Sequence, residues 1–143
     1  MRLTVEENLR AVDVFLNAFN ERDWDRVANL HAESVVYRTP DNPEPKKGRK
    51  AIRDFFVGYT SAFPDARNLK ERAIAQGDWV CAEYMFTGTH LGPLTDPDGK
   101  VVSGTQRQVR VPWISMYKLA GGKIVQWHAY WDALGMWRQI RGM

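Results

Sequence analysis

Residues 122–136 read GKIVQWHAYWDALGM and combine a strand pattern with the start of a helix. Side chains alternate between the two faces of a strand, so this segment separates into a polar row and an apolar row. The polar row is Gln126, His128, Tyr130 and Asp132, and the apolar row is Val125, Trp127, Ala129 and Trp131. The pattern predicts a strand that ends at Trp131 and a short helix directly after Asp132.

Asp132, at the end of the polar row, has two physically reasonable roles. Between Tyr130 and Trp131 its carboxylate would be poorly solvated, which raises its pKa and makes it a stronger base than a surface aspartate. An aspartate directly before a helix is also a good N-cap, and hydrogen bonds from backbone N–H groups would lower its pKa instead. Capping is the more frequent role at a helix start, and both roles stay open.

His128 and Tyr130 share the predicted face of Asp132 and are candidates for catalysis with it. His128 could act as a second acid or base, and Tyr130 could donate a hydrogen bond to an enolate oxygen. The alternatives are a histidine that is hydrogen-bonded within the core and a tyrosine that only packs. Asp132, His128 and Tyr130 are therefore the candidate catalytic residues.

The N-terminal half of the chain contains three predicted helices. Thr4 and Glu7 match a capping box ahead of apolar residues at helical spacing. Asp23 is the expected N-cap of a second, shorter helix. A third helix should begin after Gly48 and end before Pro64, because a proline disfavours helical geometry in the residue that precedes it.

Long β-patterns with turn signals between them occupy the rest of the chain. A short strand is predicted at 34–38, and Pro40, Pro43 and Pro45 predict an irregular loop after it. Further strands are predicted over 68–75, 79–90, 107–119 and 123–131, and the last two are joined by a tight hairpin at 120–122.

Helices followed by a long-stranded, mostly antiparallel sheet indicate an α+β fold, here one domain over residues 1–143. A curved sheet of four or five strands around three helices leaves one end open, and a ligand pocket is expected there. The chain has six Trp, six Phe and five Tyr, which suit the walls of such a pocket. The predicted wall residues are Phe15, Phe19, Tyr37, Phe56, Tyr59, Trp113 and Trp131.

Composition argues against several other classes of protein. The net charge of +3 is scattered apart from the basic run at 46–50, so no nucleic-acid partner is predicted. Cys81 is the single cysteine and the three histidines lack metal-ligand spacing, so no metal is expected. No apolar run approaches membrane-spanning length and the first residues lack a signal peptide's apolar region, so we expect no membrane partner and a cytoplasmic location.

Three segments in this order resemble a known family. The first two are residues 86–92 (FTGTHLG) and 97–102 (PDGKVV), and the third is 122–125 (GKIV) leading to 131–136 (WDALGM) and 139–140 (QI). They are similar to motifs of the SnoaL-like polyketide cyclases and related ester cyclases. These proteins belong to the nuclear transport factor 2 (NTF2)-like superfamily. The resemblance covers essentially the whole chain and implies a cone-shaped sheet wrapped around the three N-terminal-half helices.

The resemblance also implies a chemistry. Asp132 matches the aspartate that acts as acid and base in the aldol closure of a polyketide ring, without a metal or an organic cofactor. The implied ligand is a small hydrophobic carbonyl compound, and the expected enzyme is a lyase or isomerase of cyclase type. A homodimer formed through the outer face of the sheet is implied too, because Trp79 or Trp127 would otherwise be exposed there.

Two alternatives to a cyclase stay open. An NTF2-like isomerase or epoxide hydrolase would need a second acid in the pocket within reach of Asp132, such as Glu83 or Asp54. A non-catalytic, dimeric ligand-binding module would instead have an Asp132 whose oxygens accept hydrogen bonds from backbone donors.

Overall fold

The computed structural model describes residues 3–143, which form four α-helices and eight β-strands. The helices are α1 (Val5–Asn20), α2 (Trp24–Asn29), α3 (Arg49–Ala62) and α4 (Ala133–Arg141). The strands are β1 (His31–Thr39), β2 (Asn42–Lys47), β3 (Arg67–Gln76), β4 (Trp79–Thr89), β5 (Leu94–Thr95), β6 (Val101–Val102), β7 (Gln108–Ala120) and β8 (Lys123–Trp131).

Six of the strands form one curved sheet in the order β2-β1-β8-β7-β4-β3, and β5 and β6 form a separate two-stranded ribbon. All neighbours in the large sheet are antiparallel except β1 and β8, which run parallel. The turn between β7 and β8 contains Gly121 and Gly122 with φ of 58° and 81°, a left-handed geometry that favours glycine. The predicted α+β class with a mostly antiparallel sheet is confirmed.

The helix starts follow the predicted capping chemistry. The Thr4 side chain accepts a hydrogen bond from the Glu7 backbone N–H, and the Glu7 carboxylate accepts one from the Thr4 backbone. Asp23 accepts from the backbone N–H of Arg26 at the start of α2. These bonds satisfy N–H groups that the first helical turn leaves without intrahelical partners, so the local sequence is sufficient to place both helices.

One face of the sheet packs against α1 and α3, and we call it the inner face; the opposite side is the outer face. The core between them is rich in aromatic rings, with Phe56 5.3 Å and Phe15 6.4 Å from Trp127, measured between ring centroids. Trp127 is 1% exposed and donates its indole N–H to the Ser115 hydroxyl. The expectation that Trp127 lies on the outer face is therefore wrong, since period-two alternation from Trp131 directs it inward.

The loop predicted from the three prolines is also wrong, because residues 42–47 form β2. The strand lies at the edge of the sheet and pairs only with β1, with Lys47 opposite Val36 and Lys46 opposite Tyr37. Proline lacks a backbone donor and is tolerated on an edge strand, where one side of the backbone needs no partner. None of the helices in the described part of the chain is long and apolar enough to span a membrane.

Candidate functional site

An apolar cavity lies between α3 and the inner face of the sheet, close to the end of β8. The volume of the cavity is about 60 Å³. The lining residues come from α1, α3, α4 and four strands of the large sheet. They are Phe19, Phe55, Phe56, Tyr59, Asn68, Phe86, Val111, Trp113, Trp127, Trp131 and Met136. Concave apolar sites of this kind are the usual location of small-molecule binding.

Five of the seven predicted wall residues line this cavity. They are Phe19, Phe56, Tyr59, Trp113 and Trp131. Phe15 and Tyr37 are buried elsewhere in the core and are outside the lining. Phe15 packs edge-on against His31 with ring centroids 5.2 Å apart, and the Tyr37 hydroxyl donates to the backbone carbonyl of Ala51 at 3.2 Å.

Asn68 is a polar side chain of the lining that no sequence motif indicates. It is 7% exposed, and its Oδ1 accepts a hydrogen bond from Trp113 Nε1 at 2.9 Å. Its backbone is held at both ends by the Asn20 amide, which accepts from Asn68 N at 3.0 Å and donates to Asn68 O at 2.9 Å. A buried amide on the inner row of a strand was the available signal, because such a residue requires a partner or a ligand.

Two more polar groups are set among the aromatic walls. Trp131 Nε1 is buried and has no hydrogen-bond partner within residues 3–143, which costs about 1–3 kcal/mol for a neutral donor. The second is the Tyr59 hydroxyl: burial raises the pKa of Tyr59 well above its usual value, and the charge of Asp41 adds to the effect. The Tyr59 hydroxyl therefore stays protonated at neutral pH.

Asp132 caps α4 rather than lining the cavity. Its Oδ1 accepts a hydrogen bond from the backbone N–H of Gly135 at 2.8 Å, and the residue is exposed. A Cβ atom on Gly135 would collide with the Asp132 carboxylate, so glycine at this position permits the capping rotamer. Trp131 before it and Met136 four positions after it both line the cavity, so Asp132 stands beside the cavity wall on its solvent side.

His128 and Tyr130 lie on the outer face with Asp132. His128 is half-buried, contacts Gln126 Oε1 through Nε2 at 3.1 Å and stacks on Trp79 with ring centroids 6.3 Å apart. Burial lowers the pKa of His128, and the charge of Arg38 lowers it further. Tyr130 is 54% exposed. The predicted alternation of β8 is confirmed, and it directs these two side chains away from the cavity.

The acids considered as partners of Asp132 are also outside the cavity. Asp54 is exposed on α3 and pairs with Lys50 at 2.7 Å. Glu83 pairs with Arg72 at 3.0 Å and borders a groove on the outer face, together with Glu71, Tyr130 and Asp132. The residues that line the cavity include no acid, so the second acid that a two-acid mechanism requires is not among them.

The histidines are dispersed in the fold. His31 is fully buried, with Nδ1 2.7 Å from the carbonyl of Val27, and burial lowers its pKa to about 4. His90 is fully buried beside Thr105, whose hydroxyl is 3.1 Å from its Nδ1. Within residues 3–143, no three His, Cys, Asp or Glu side chains are grouped so that they could hold a metal ion.

The curved sheet with helices on its inner face defines the NTF2-like class of α+β folds. The chain matches the family model described as SnoaL-like polyketide cyclase over residues 9–140, and it belongs to that family. None of the curated proteins matches it in sequence.

Solved structures support the same fold. A SnoaL-like protein from Jannaschia Sp. CCS1 has a TM-score of 0.87 at 19% identity, with 100% of this chain and 98% of that chain covered. TsrD from Streptomyces laurentii has a TM-score of 0.82 at 24% identity, with 99% of each chain covered. An M. tuberculosis LEH-like epoxide hydrolase has a TM-score of 0.72 at 19% identity, with 96% and 92% covered. At these identities the likeness shows the fold alone.

Proposed function

We propose that the protein is a cyclase- or isomerase-type enzyme that binds a small apolar carbonyl compound in its cavity and moves a proton next to the carbonyl. The observation that carries the proposal is the character of the cavity, in which aromatic walls surround a few hydrogen-bond donors and no charged side chain. Such a site favours a neutral, flat ligand and excludes water from it. Membership of the SnoaL-like polyketide cyclase family supports the same class of chemistry.

Asp132 is the proposed base, because it is the carboxylate that adjoins two residues of the cavity wall, Trp131 and Met136. A change of rotamer that breaks the bond to Gly135 would bring the carboxylate towards the ligand. The carboxylate would then take the proton from a carbon beside the carbonyl, and the electron pair of the C–H bond would form the enolate. In a cyclase the enolate carbon attacks a second carbonyl of the same molecule, and the Asp132 carboxylic acid returns its proton to the resulting alkoxide.

The role of His128 and Tyr130 in this scheme is indirect. Both are on the outer face, with Tyr130 bordering the same groove as Asp132. We propose that Tyr130 sets the surroundings of the carboxylate when it is in its capping rotamer, and that neither residue contacts the ligand.

A deuterium-exchange assay tests the proton transfer without knowledge of the natural substrate. 2-Tetralone carries acidic C–H groups beside its carbonyl, and mass spectrometry in D2O measures their exchange. We expect the wild-type protein to accelerate exchange and Asp132→Asn to reduce that acceleration by about 100-fold or more, as for loss of a general base. Asparagine is an equally good N-cap, so α4 should be retained in this variant.

Asp23→Asn is the matched control, because it makes the same chemical change at the start of α2. It should leave the exchange rate unchanged. Equal exchange rates for wild type and Asp132→Asn would remove Asp132 as the base.

A non-catalytic ligand-binding module is the second candidate. The capping bond between Asp132 and Gly135 favours it, since that bond occupies the carboxylate. If the wild-type protein binds 2-tetralone tightly but does not accelerate its deuterium exchange, the protein is a ligand-binding module and not an enzyme of this type.

We also propose that the protein forms a homodimer through the outer face of the sheet. Leu69, Ile74 and Ile114 expose 69%, 68% and 41% of their surface there. Sedimentation should show twice the 16.5 kDa chain mass for the wild type, and Ile114→Lys should shift the protein towards monomer. Val57→Lys, on the exposed side of α3, is the control that should leave the mass unchanged. A wild-type monomer at micromolar concentration would contradict the dimer.

A further inference from the structure

The cavity is too small for the ligand that the proposed function requires. Its volume is about 60 Å³, whereas small-molecule sites commonly enclose about 300 Å³ or more. Packed cores do not deform continuously, so a ligand can enter only when one of the lining elements is displaced as a unit. One of the elements around the cavity therefore has to move.

Helix α4 is the lining element with the weakest framework around it. The lining strands are held by the backbone ladder of the sheet, and α1 and α3 form the aromatic core with the inner face. α4 follows β8 at Asp132, places Met136 in the cavity wall and buries Trp137 and Ile140. The rest of its attachment to the protein consists of polar side-chain bonds.

These bonds are in the C-terminal half of α4. The Gln139 amide accepts from the backbone N–H of Arg110 at 2.7 Å and donates to the Arg110 carbonyl at 3.1 Å. Arg141 donates to Asp96 Oδ2 at 2.6 Å, and its guanidinium lies over the ring of Trp137. The side chain of Asp96 is 1% exposed and that of Arg141 is 42% exposed. A buried carboxylate makes this ion pair stronger than one between two surface side chains.

The segment that carries the acid of this pair is attached to α3. Residues 90–107, which we call the strap, connect β4 to β7 and contain β5 and β6. The backbone N–H groups of Leu91 and Gly92 both donate to the carbonyl of Ala62, at 2.9 Å and 3.1 Å. A Cβ atom on Gly92 would lie 2.3 Å from the carbonyl oxygen of Ser61, so the two backbones are in close contact. The strap is therefore a fixed support for α4.

The Asp96 carboxylate is oriented by the strap alone. Its Oδ1 accepts hydrogen bonds from the backbone N–H groups of Asp98 and Lys100, each at 2.9 Å. These bonds close a tight turn and leave Oδ2 for Arg141. Loss of the bond to Arg141 would therefore keep the turn and detach the end of α4.

We propose that Asp96 and Arg141 form a latch that holds α4 against the cavity, and that ligand binding releases it. The inference rests on the proposed function and deepens it by identifying how the site opens. α4 would pivot at Asp132, which moves Met136 out of the wall and separates Gly135 from the Asp132 carboxylate. The movement that admits the ligand would thus free the proposed base from its capping bond. Arg141 is accordingly a positioning residue.

A latch of this kind opposes ligand binding. When a bond is present in the free protein and absent from the complex, its removal raises the affinity for the ligand. A residue that only supports the site would instead lower the affinity when it is replaced. By reciprocal coupling, the bound ligand must also loosen α4.

Titration with N-phenyl-1-naphthylamine tests the latch. This compound fluoresces in apolar sites and is uncharged, so its affinity does not depend directly on the charge of Arg141. We expect Arg141→Met to bind it about three- to tenfold more tightly than the wild type, as for one partly exposed ion pair made by the free protein alone. Arg141→Lys retains a cation for Asp96 and should stay near the wild-type affinity. Should Arg141→Met fail to fold, Asp96→Asn breaks the same pair and keeps Oδ1 for the turn.

Arg138→Met is the matched control, because it removes the same charge from the same helical turn at an exposed position. It should leave the affinity unchanged. Hydrogen–deuterium exchange of the wild-type protein is the second measurement. Saturation with the naphthylamine should accelerate the exchange of α4 backbone amides, whereas a ligand that only packs against α4 would slow it.

An unchanged or lower affinity of Arg141→Met would overturn the latch. An equal rise for Arg138→Met, slower exchange in α4, or no binding to any variant would do the same. The 2-tetralone assay separates the latch from the proposed function. Accelerated exchange of 2-tetralone with no effect of Arg141→Met on affinity would keep the enzyme and remove the latch. The expected rise in affinity without 2-tetralone exchange would keep the latch in a ligand-binding module.

Discussion

The inner and outer rows of β8 differ sharply in their exposure to solvent. Trp127 and Ala129 of the inner row are almost completely buried, whereas Tyr130 of the outer row is 54% exposed. Trp127 and Trp131 of the inner row form part of the cavity wall. The most chemically suggestive residues in the sequence therefore lie on the opposite face from the cavity, and a polar row on a strand indicates a shared face without indicating which face it is.

The largest expected change in stability comes from removing the indole of Trp127 on the inner row. Trp127→Ala would leave a cavity in the aromatic core, so we expect a loss of about 3–5 kcal/mol in the free energy of unfolding. Tyr130→Ala, three positions further along the same strand, should change it by less than about 0.5 kcal/mol. Urea denaturation measures both, and similar losses for the two variants would contradict the assignment of the faces.

The pH dependence of stability should distinguish the buried His31 from the half-exposed His128. Burial lowers the pKa of His31 from 6.5 to about 4, so the unfolded chain takes up this proton first as the pH falls. The stabilisation that neutral His31 contributes is fully present above pH 6.5 and is lost as the pH falls to about 4. Its size is about 3 kcal/mol of unfolding free energy. Unfolding free energies of wild type and His31→Asn across this range measure it.

Asn can retain a donor near the position of Nδ1 but does not titrate. The His31→Asn variant should therefore lose much of the pH slope, although its overall stability is lower. His128→Asn should remove less of the slope, since the pKa of His128 is lowered by a smaller degree of burial. A slope that His31→Asn leaves intact would assign the acid sensitivity to other groups.

A smaller effect is expected at the junction where the outer row meets α4. Asp132→Ala removes the capping bond to Gly135 and should reduce the free energy of unfolding by about 1 kcal/mol. Asp132→Asn should cost only a few tenths of a kcal/mol, because asparagine caps equally well. Thermal denaturation of the two variants tests this, and an equal loss in both would show that the charge, not the cap, stabilises the helix end.

Much of the fold could be predicted from local sequence. The capping residues Thr4 and Asp23 mark the starts of α1 and α2 because capping depends on neighbouring atoms only. The edge strand β2 could not be predicted from its prolines, since a proline is excluded from a central strand and tolerated at an edge. Whether residues 42–47 lie at an edge is a property of the whole sheet.

The aromatic part of the site was more predictable than the polar part. Tyr59, Trp113 and Trp131 were predicted as walls because large rings on inward positions must pack on something. Phe15 has the same helical spacing as Phe19 yet packs against His31 away from the cavity, since the spacing gives the face of a helix and not the depth along it. The position of Asn68 in the site follows only from the tertiary structure, in which its Oδ1 accepts a hydrogen bond from Trp113 Nε1.

The sequence by itself determined the helices, most of the strands, the alternation of β8 and the membership in a family, because each depends on local chemistry or on an ordered set of motifs. The tertiary structure decided which row of β8 faces the helices, that Asp132 caps α4, and that Tyr59, Asn68 and Trp131 share one cavity. These features join residues far apart in the chain. Their positions are set by how the sheet curves and packs, which no local pattern encodes.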